Sequence, residues 1–319
     1  MFAKKTNGAI AGTLLLAIVL WGGSNAGTKF LVTSQPAWPP IWVGSTRFLC
    51  AGLLMLALLR WTNWLGPSNP PPEDTRRGLW LRGGLSLAIY IVAFNWALHY
   101  TTASHVALYL GAAPVWALVW DERPSLTWRS AQRYGAAALA VSGVIVLFWP
   151  TLKSGSAHWI GDLLALAASF LWTNYSRQCR AFGARLSGAE ISAHTLWRAG
   201  LLLLPFATVE IAARGLVWRA DLFWIQVYCF VAGGVVSYAI WNNALRHWPT
   251  SRVFLFNNLI PLSTMTWARI CLREPVTPTF WFAMALIVAG VVLGQLGWQK
   301  LLKARGAGTA ELAPVKGEG

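Results

Sequence analysis

"NWALHYTTASHVALYLGAAP", residues 95–114, and "NNALRHWPTSRVFLFNNLIP", residues 242–261, lie over one another without a gap at a separation of 147. Both open on Asn, carry Ala-Leu at the same two places and close on Pro. Further on, "ALAVSGVIVL" lies over "ALIVAGVVLG" at the same separation, and upstream Trp21 matches Trp172 and Arg47 matches Arg198 at a separation of 151. Self-similarity at a fixed spacing along a whole chain is the mark of a duplicated structural unit. The expected halves are residues 1–150 and 151–300, with 301–319 as a polar tail too poor in apolar residues to fold alone.

The repeated unit is built from apolar runs of about 20 residues, each able to cross a hydrocarbon core of roughly 30 Å as a helix. Ten are predicted, at about 8–28, 40–60, 78–98, 102–120, 131–149, 159–178, 190–212, 222–245, 249–270 and 278–298. Composition agrees: 56% of the 319 residues are hydrophobic, only 12% are charged, and there are 21 Trp. Runs of helix length, rather than short alternating segments, select helices over a barrel, since a backbone in lipid must satisfy its own hydrogen bonds. The predicted fold is an all-α polytopic membrane protein. Five spans per half is an odd number, so the second half enters the membrane from the opposite side. Ten helices as two inverted-topology repeats is a plan typical of secondary transporters, whose site lies between the repeats near the midplane.

The net charge of +15 would suit a nucleic-acid partner, but the placement of the basic residues excludes that reading. With both termini in the cytoplasm, eighteen of the 26 Lys and Arg residues, from Lys4 and Lys5 to Lys316, fall on inner segments. That inward excess is the positive-inside rule. A cleavable leader ending at "SNA" is disfavoured by the length of the first apolar run and by its counterpart later in the chain. Cys50, Cys179, Cys229 and Cys271 have no metal-ligand spacing, so neither zinc nor a disulfide framework is indicated. The Pro-rich stretch 66–77 reads as an extended cytoplasmic linker.

"LWGGSNAGTK", "TRF", "ALHYTTASHVALYLGAAPVW", "DERPSLT" and "LREPVTP", in that order, resemble the drug/metabolite transporter superfamily, EamA type. The resemblance covers nearly residues 8–298. It implies a central cavity lined by the first, third, fourth, sixth, eighth and ninth spans, and transport of small organic solutes, often export of amino acids or metabolites. One departure is local: Glu274 precedes Gly290 by 16 residues, whereas Glu122 precedes Gly143 by 21, so no role is carried onto Glu122.

Within the spans, aromatic and amide residues cluster where a solute could be gripped without a formal charge in lipid. Trp21 and Asn25 share a face of the first span; Trp172 and Tyr175 take the same place in the sixth. Tyr90 and Phe94 lie on the third, His105 and Tyr109 on the fourth, Tyr238 and Trp241 on the eighth, and Asn257 and Asn258 on the ninth. These are the candidate substrate-binding residues. Pro114 and Pro261, inside the fourth and ninth spans, are candidate hinges, because a proline removes a backbone hydrogen bond and bends a helix. Arg47 and Arg198 stand well inside their spans, where an unpaired charge is costly. They are candidates for gating or for anchoring an anion, with His194 one turn from Arg198. All acidic residues fall in loops or near helix ends, which points to facilitated diffusion or exchange over carboxylate-mediated proton coupling, with proton linkage through a histidine such as His105 as the alternative.

The expected function is a secondary transporter, an exporter or facilitator, moving an amino acid or similar zwitterion or anion across a bacterial inner membrane by alternating access. No cofactor and no metal are implied. The expected partners are a small-molecule substrate and the lipid bilayer, with a monomeric assembly. Two other readings use the same sequence. A flippase for a lipid or lipid-linked sugar would need a cavity open sideways. An integral-membrane enzyme has only "HWIGD", residues 158–162, to offer, with no accompanying phosphate loop, metal cluster or nucleophile elbow.

Overall fold

The computed structural model describes residues 7–62, 65, 70–100, 127–152, 159–272 and 278–295, with positions 106, 109–111, 113, 116, 117 and 120. Among them the regular structure is helical, with no strand. Helix α1 is Asn7–Thr33 and α2 is Pro40–Trp61. Helix α3 runs from Glu73 to Tyr100 as Glu73–Gly78, a π-helical stretch Leu79–Leu85, and Ser86–Tyr100. Then come α4 (Trp128–Leu152), α5 (Trp159–Phe182) and α6 (Gly188–Arg214). Helix α7 is again composite: Ala220–Tyr228, a π-helical stretch Cys229–Val236, and Ser237–His247. Helices α8 (Thr250–Asn257), α9 (Ile260–Leu272) and α10 (Pro278–Gln295) complete the set.

Asn7–Val32, Pro40–Trp61, Glu73–Ala97, Gly188–Arg214 and Ala220–His247 are long and apolar enough to cross a membrane. Their outward side chains fit that solvent: Phe206, Val209 and Trp224 are each more than 60% exposed, at no cost against lipid tails. Most of the fourth predicted span, the Glu122 and Glu274 positions, His158 and the tail lie outside the described residues.

Three differences from the expected pattern have physical causes. The linker ends early, because Pro72 precedes Glu73 and Asp74, and acidic residues in a first turn favour the helix that begins there. The first span runs past residue 28: α1 continues to Thr33, and Gly22 and Gly23 within it are covered by Ser263, Tyr228 and Trp267. The ninth predicted span is two helices, α8 and α9, interrupted at Asn258 and Leu259. Pro261, at the second position of α9, cannot donate the hydrogen bond that would join them.

Helices α2 and α6 pack along most of their length. Following α2, Ile41 N–H donates to Glu210 at 2.7 Å, Ser45 Oγ donates to the Gly200 carbonyl at 2.9 Å, and Gly52 abuts the Trp197 backbone. As α2 advances its partners on α6 recede, so the pair is antiparallel. The contact is also reciprocal, for Gly200 abuts the Leu49 backbone as Gly52 abuts that of Trp197. Helices α4 and α10 repeat the pattern. A methyl on Gly143 would come within 3.0 Å of the Ala283 carbonyl and 2.7 Å of Ile287. A methyl on Gly290 would come within 2.9 Å of the Ala136 carbonyl and 2.8 Å of Ala140. This pair too is antiparallel, its axes brought close by small residues.

Candidate substrate-binding core

Six helices converge on one aromatic cluster. Trp21 of α1 meets Trp241 and Tyr238 of α7 at ring-centroid distances of 5.2 and 5.3 Å, and Trp172 of α5 at 5.8 Å. Tyr238 and Trp241 are three apart and so project from one face of α7. Tyr90 of α3 lies 5.2 Å from Trp172 and stacks on Phe94 at 5.7 Å. Tyr175 stacks on Trp172 at 5.5 Å. Two members were not anticipated from sequence: Phe254 of α8, 5.3 Å from Trp241, and Phe48 of α2, 5.7 Å from Tyr238. Phe48 is the aromatic of "TRF", next to an already conspicuous arginine. Phe254 lies in an apolar run with no pattern to single it out.

The rings fill the space among themselves. Trp241 and Tyr175 are 0% exposed, and Trp21, Trp172 and Tyr238 no more than 5%. Three of these rings are hydrogen-bonded to the surrounding helices. Trp21 Nε1–H donates to the Gly233 carbonyl at 2.7 Å, Trp241 Nε1–H to Ser176 Oγ at 3.2 Å, and the Tyr175 hydroxyl pairs with Thr195 Oγ1 at 3.0 Å. Gly233 belongs to the π-helical stretch of α7, where a widened hydrogen-bond ladder presents backbone groups to a neighbour. The sequence carried a signal for it: "RGG" at 82–84 and "AGG" at 232–234 put a glycine pair inside each π-helical stretch.

The other candidates divide. Asn258, four residues beyond Phe254 and 0% exposed, has neither its amide oxygen nor its amide nitrogen hydrogen-bonded. Asn257 is buried beside it at the end of α8. Asn25 is half-buried one turn beyond Trp21 and enters no hydrogen bond among the described residues. Tyr109 packs with Phe94 beside Ala97, Val106 and Ala165, in a smaller cluster adjoining the main one. His105 and Pro114 lie outside the described residues.

Arg47 and Arg198 are both buried, at 9% and 6% exposed, and no carboxylate among the described residues pairs with either. Each faces the glycine pair of a composite helix. The Arg198 side chain packs on Gly84 of α3, and Arg47 Nη2 lies 2.8 Å from the position a methyl on Gly233 would take. Their immediate partners differ. Arg198 donates to the His194 carbonyl at 2.8 Å and contacts His194 Nδ1 at 3.1 Å, while its guanidinium lies 4.4 Å from the Trp197 ring and 5.1 Å from that of Trp80. Arg47 reaches Thr28 Oγ1 at 3.3 Å and the Phe48 ring at 5.4 Å.

Relatives agree with what these helices can do. A protein described as an "Uncharacterized transporter" from Archaeoglobus fulgidus is 25% identical over 288 residues, 88% of this chain and 95% of its own length. The "Uncharacterized inner membrane transporter YedA" of Escherichia coli (strain K12) is 25% identical over 291 residues, 90% of each chain. A "Probable amino-acid metabolite efflux pump" of the same organism is 25% identical over 177 residues, 52% of this chain and 59% of its own. A solved crystal structure shares the fold with a TM-score of 0.72 at 18% identity, over 93% of this chain and 99% of that one. The EamA-like transporter family model matches residues 8–149 and again 159–294. With apolar membrane-length helices around a buried aromatic core, and the family's pattern matched over both halves, the chain belongs to the EamA-like transporter family.

Proposed function

We propose that this protein moves a small organic metabolite, an amino acid or a similar zwitterion or anion, across a bacterial inner membrane by alternating access. The observation that carries the reading is the aromatic cluster. Rings from α1, α2, α3, α5, α7 and α8 meet at one buried place, the number of elements expected where a solute is handed between bundles rather than where two helices merely pack. Trp21, Tyr90, Trp172, Tyr238 and Trp241 form the apolar wall in this reading, and Asn258 supplies an amide whose hydrogen bonds a polar solute would complete. Rings packed on one another describe a closed state that must part to admit solute. A relative described as a "Probable amino-acid metabolite efflux pump" supports an outward direction of transport.

The two halves, 1–150 and 151–300, act in this reading as inverted repeats of five spans, ten in all, with both termini in the cytoplasm and a monomer as the working unit. The reciprocal antiparallel contacts support it. Gly143 meets residues 283 and 287, and Gly290 meets 136 and 140; adding 147 to the members of the first helix turns one set into the other. A two-fold axis between antiparallel helices produces such reciprocity. Exchange or facilitated diffusion is the mode, since among the described residues no carboxylate lies with the aromatic rings to carry a proton.

Counterflow in proteoliposomes tests the reading. Purified protein preloaded with unlabelled phenylalanine, leucine or glutamine is expected to concentrate the labelled form, and Trp21→Ala or Trp172→Ala to raise KM about ten-fold or more, since a buried aromatic contributes roughly 2 kcal/mol. Absence of counterflow for the whole amino-acid panel, by protein that is monodisperse and correctly inserted, would defeat it.

A further inference from the structure

Resting on the transporter reading above, we propose that the two sequence-equivalent arginines have unequal duties: Arg47 is the anchor for the carboxylate of the transported solute, and Arg198 is a structural latch that touches no solute. The inequality lies in their surroundings. Arg198 is the more fully partnered of the two, its guanidinium lying against the Trp197 and Trp80 rings at 4.4 and 5.1 Å and hydrogen-bonded back to the His194 carbonyl at 2.8 Å on its own helix, though its Nε has no partner among the described residues. Cation–π contacts and a local carbonyl are how a buried guanidinium is satisfied without an anion.

Arg47 has no such cage. Among the described residues its hydrogen bond is to the Thr28 hydroxyl at 3.3 Å; its Nε is buried and unpartnered, as is that of Arg198, so the two differ in the rings and carbonyl that surround them and not at Nε. Its ring contact among the described residues is with Phe48, the next residue. A guanidinium has five N–H donors in a planar fork that matches a carboxylate, so most of that capacity is unspent here. Position completes the case. Gly233 presents its carbonyl to Trp21 and its open Cα to Arg47 and Ser24, which puts Arg47 at the margin of the aromatic cluster. Among the described residues the groups facing Arg47 are hydroxyls and rings, with no acid to neutralise it, so an incoming carboxylate would be its first full partner there. A solute with an apolar side chain and a carboxylate satisfies both parts of the site: the side chain among the rings, the carboxylate on Arg47.

The test compares L-phenylalanine with L-phenylalaninamide, which keeps the ring and ammonium and lacks the carboxylate. Binding to purified protein and counterflow in proteoliposomes are measured for the wild type, Arg47→Gln, Arg47→Lys and Arg198→Gln. The wild type should prefer the acid about ten- to hundredfold, the worth of one charge-assisted pair. Arg47→Gln should lose that preference by weakening the acid and sparing the amide, Arg47→Lys should restore part of it, and Arg198→Gln should keep it while lowering the melting temperature. Equal handling of acid and amide by the wild type overturns the proposal, as does an Arg198→Gln variant that abolishes the preference; transport by the wild type would then leave the broader reading standing. Absence of binding and flux for every solute defeats that reading, and this assignment with it. Should Arg47→Gln fail to fold, Arg47→Lys decides: an unchanged preference there, with an unchanged KM for the acid, overturns the proposal.

Discussion

The Trp21 indole nitrogen donates to the carbonyl of Gly233 at 2.7 Å, tying α1 to the π-helical stretch of α7 across 212 positions of sequence. Trp21→Phe keeps most of the ring and leaves that carbonyl without its donor. The expected cost is about 1–3 kcal/mol, the penalty for orphaning a buried polar group, read as a lower melting temperature in detergent. A variant as stable as the wild type would show that the carbonyl finds another partner.

The helix pairs should be sensitive to single methyl groups. Gly52→Ala pushes a methyl into the Trp197 backbone, and Gly143→Ala pushes one against Ile287 and the Ala283 carbonyl. Neither neighbour is a flexible side-chain tip, so each change should destabilise by about 1–3 kcal/mol. Gly12→Ala is the control. Nothing lies within 4 Å of a methyl there, and alanine's better helix propensity should leave stability unchanged or raise it by up to about 1 kcal/mol. Thermal unfolding of the three variants side by side separates the cases.

Glu210 holds the start of α2. Its Oε2 accepts from the backbone N–H groups of Ile41 at 2.7 Å and Trp42 at 3.3 Å, serving as a cap from another helix, where Pro39 makes no side-chain cap of its own. Glu210→Ala should cost about 1–2 kcal/mol by leaving two first-turn donors bare. Glu210→Gln should cost less, since it keeps an acceptor and loses only the charge at the positive end of the helix. The ranking Ala below Gln below wild type in melting temperature checks the assignment.

Membrane orientation is open to a direct measurement. Single cysteines replacing Lys4 and Lys316, in a background with the four native cysteines changed to serine, should both be labelled by an impermeant maleimide only after the cytoplasmic face is opened. Labelling of one from outside in intact cells would remove the inverted arrangement and leave family membership untouched.

Much of this was legible in the chain. Helical membrane character follows from long apolar runs and scarce charge, which are local properties that no packing detail overrides. Family membership follows from motifs kept in order. Trp21, Tyr90, Trp172, Tyr238 and Trp241 were singled out one by one as polar-tipped aromatics within apolar spans, and they meet in one cluster. Phe254 was not, because a phenylalanine in a span looks the same whether it faces lipid or a neighbouring ring.

The interruption of the ninth span was signalled by Pro261 and the two π-helical stretches by their glycine pairs, but neither signal fixes how the backbone ladder rearranges. Each depends on backbone hydrogen bonds shifting by one residue, which hydrophobic pattern does not record. The clearest division is between Arg47 and Arg198. The repeated sequence makes them equivalents, buried at matching places, and the charge of each is certain from residue type alone. Only the tertiary structure sets Trp80 and Trp197 against one and puts the other at the margin of the aromatic core, because what a buried charge can do depends on partners brought to it from distant parts of the chain.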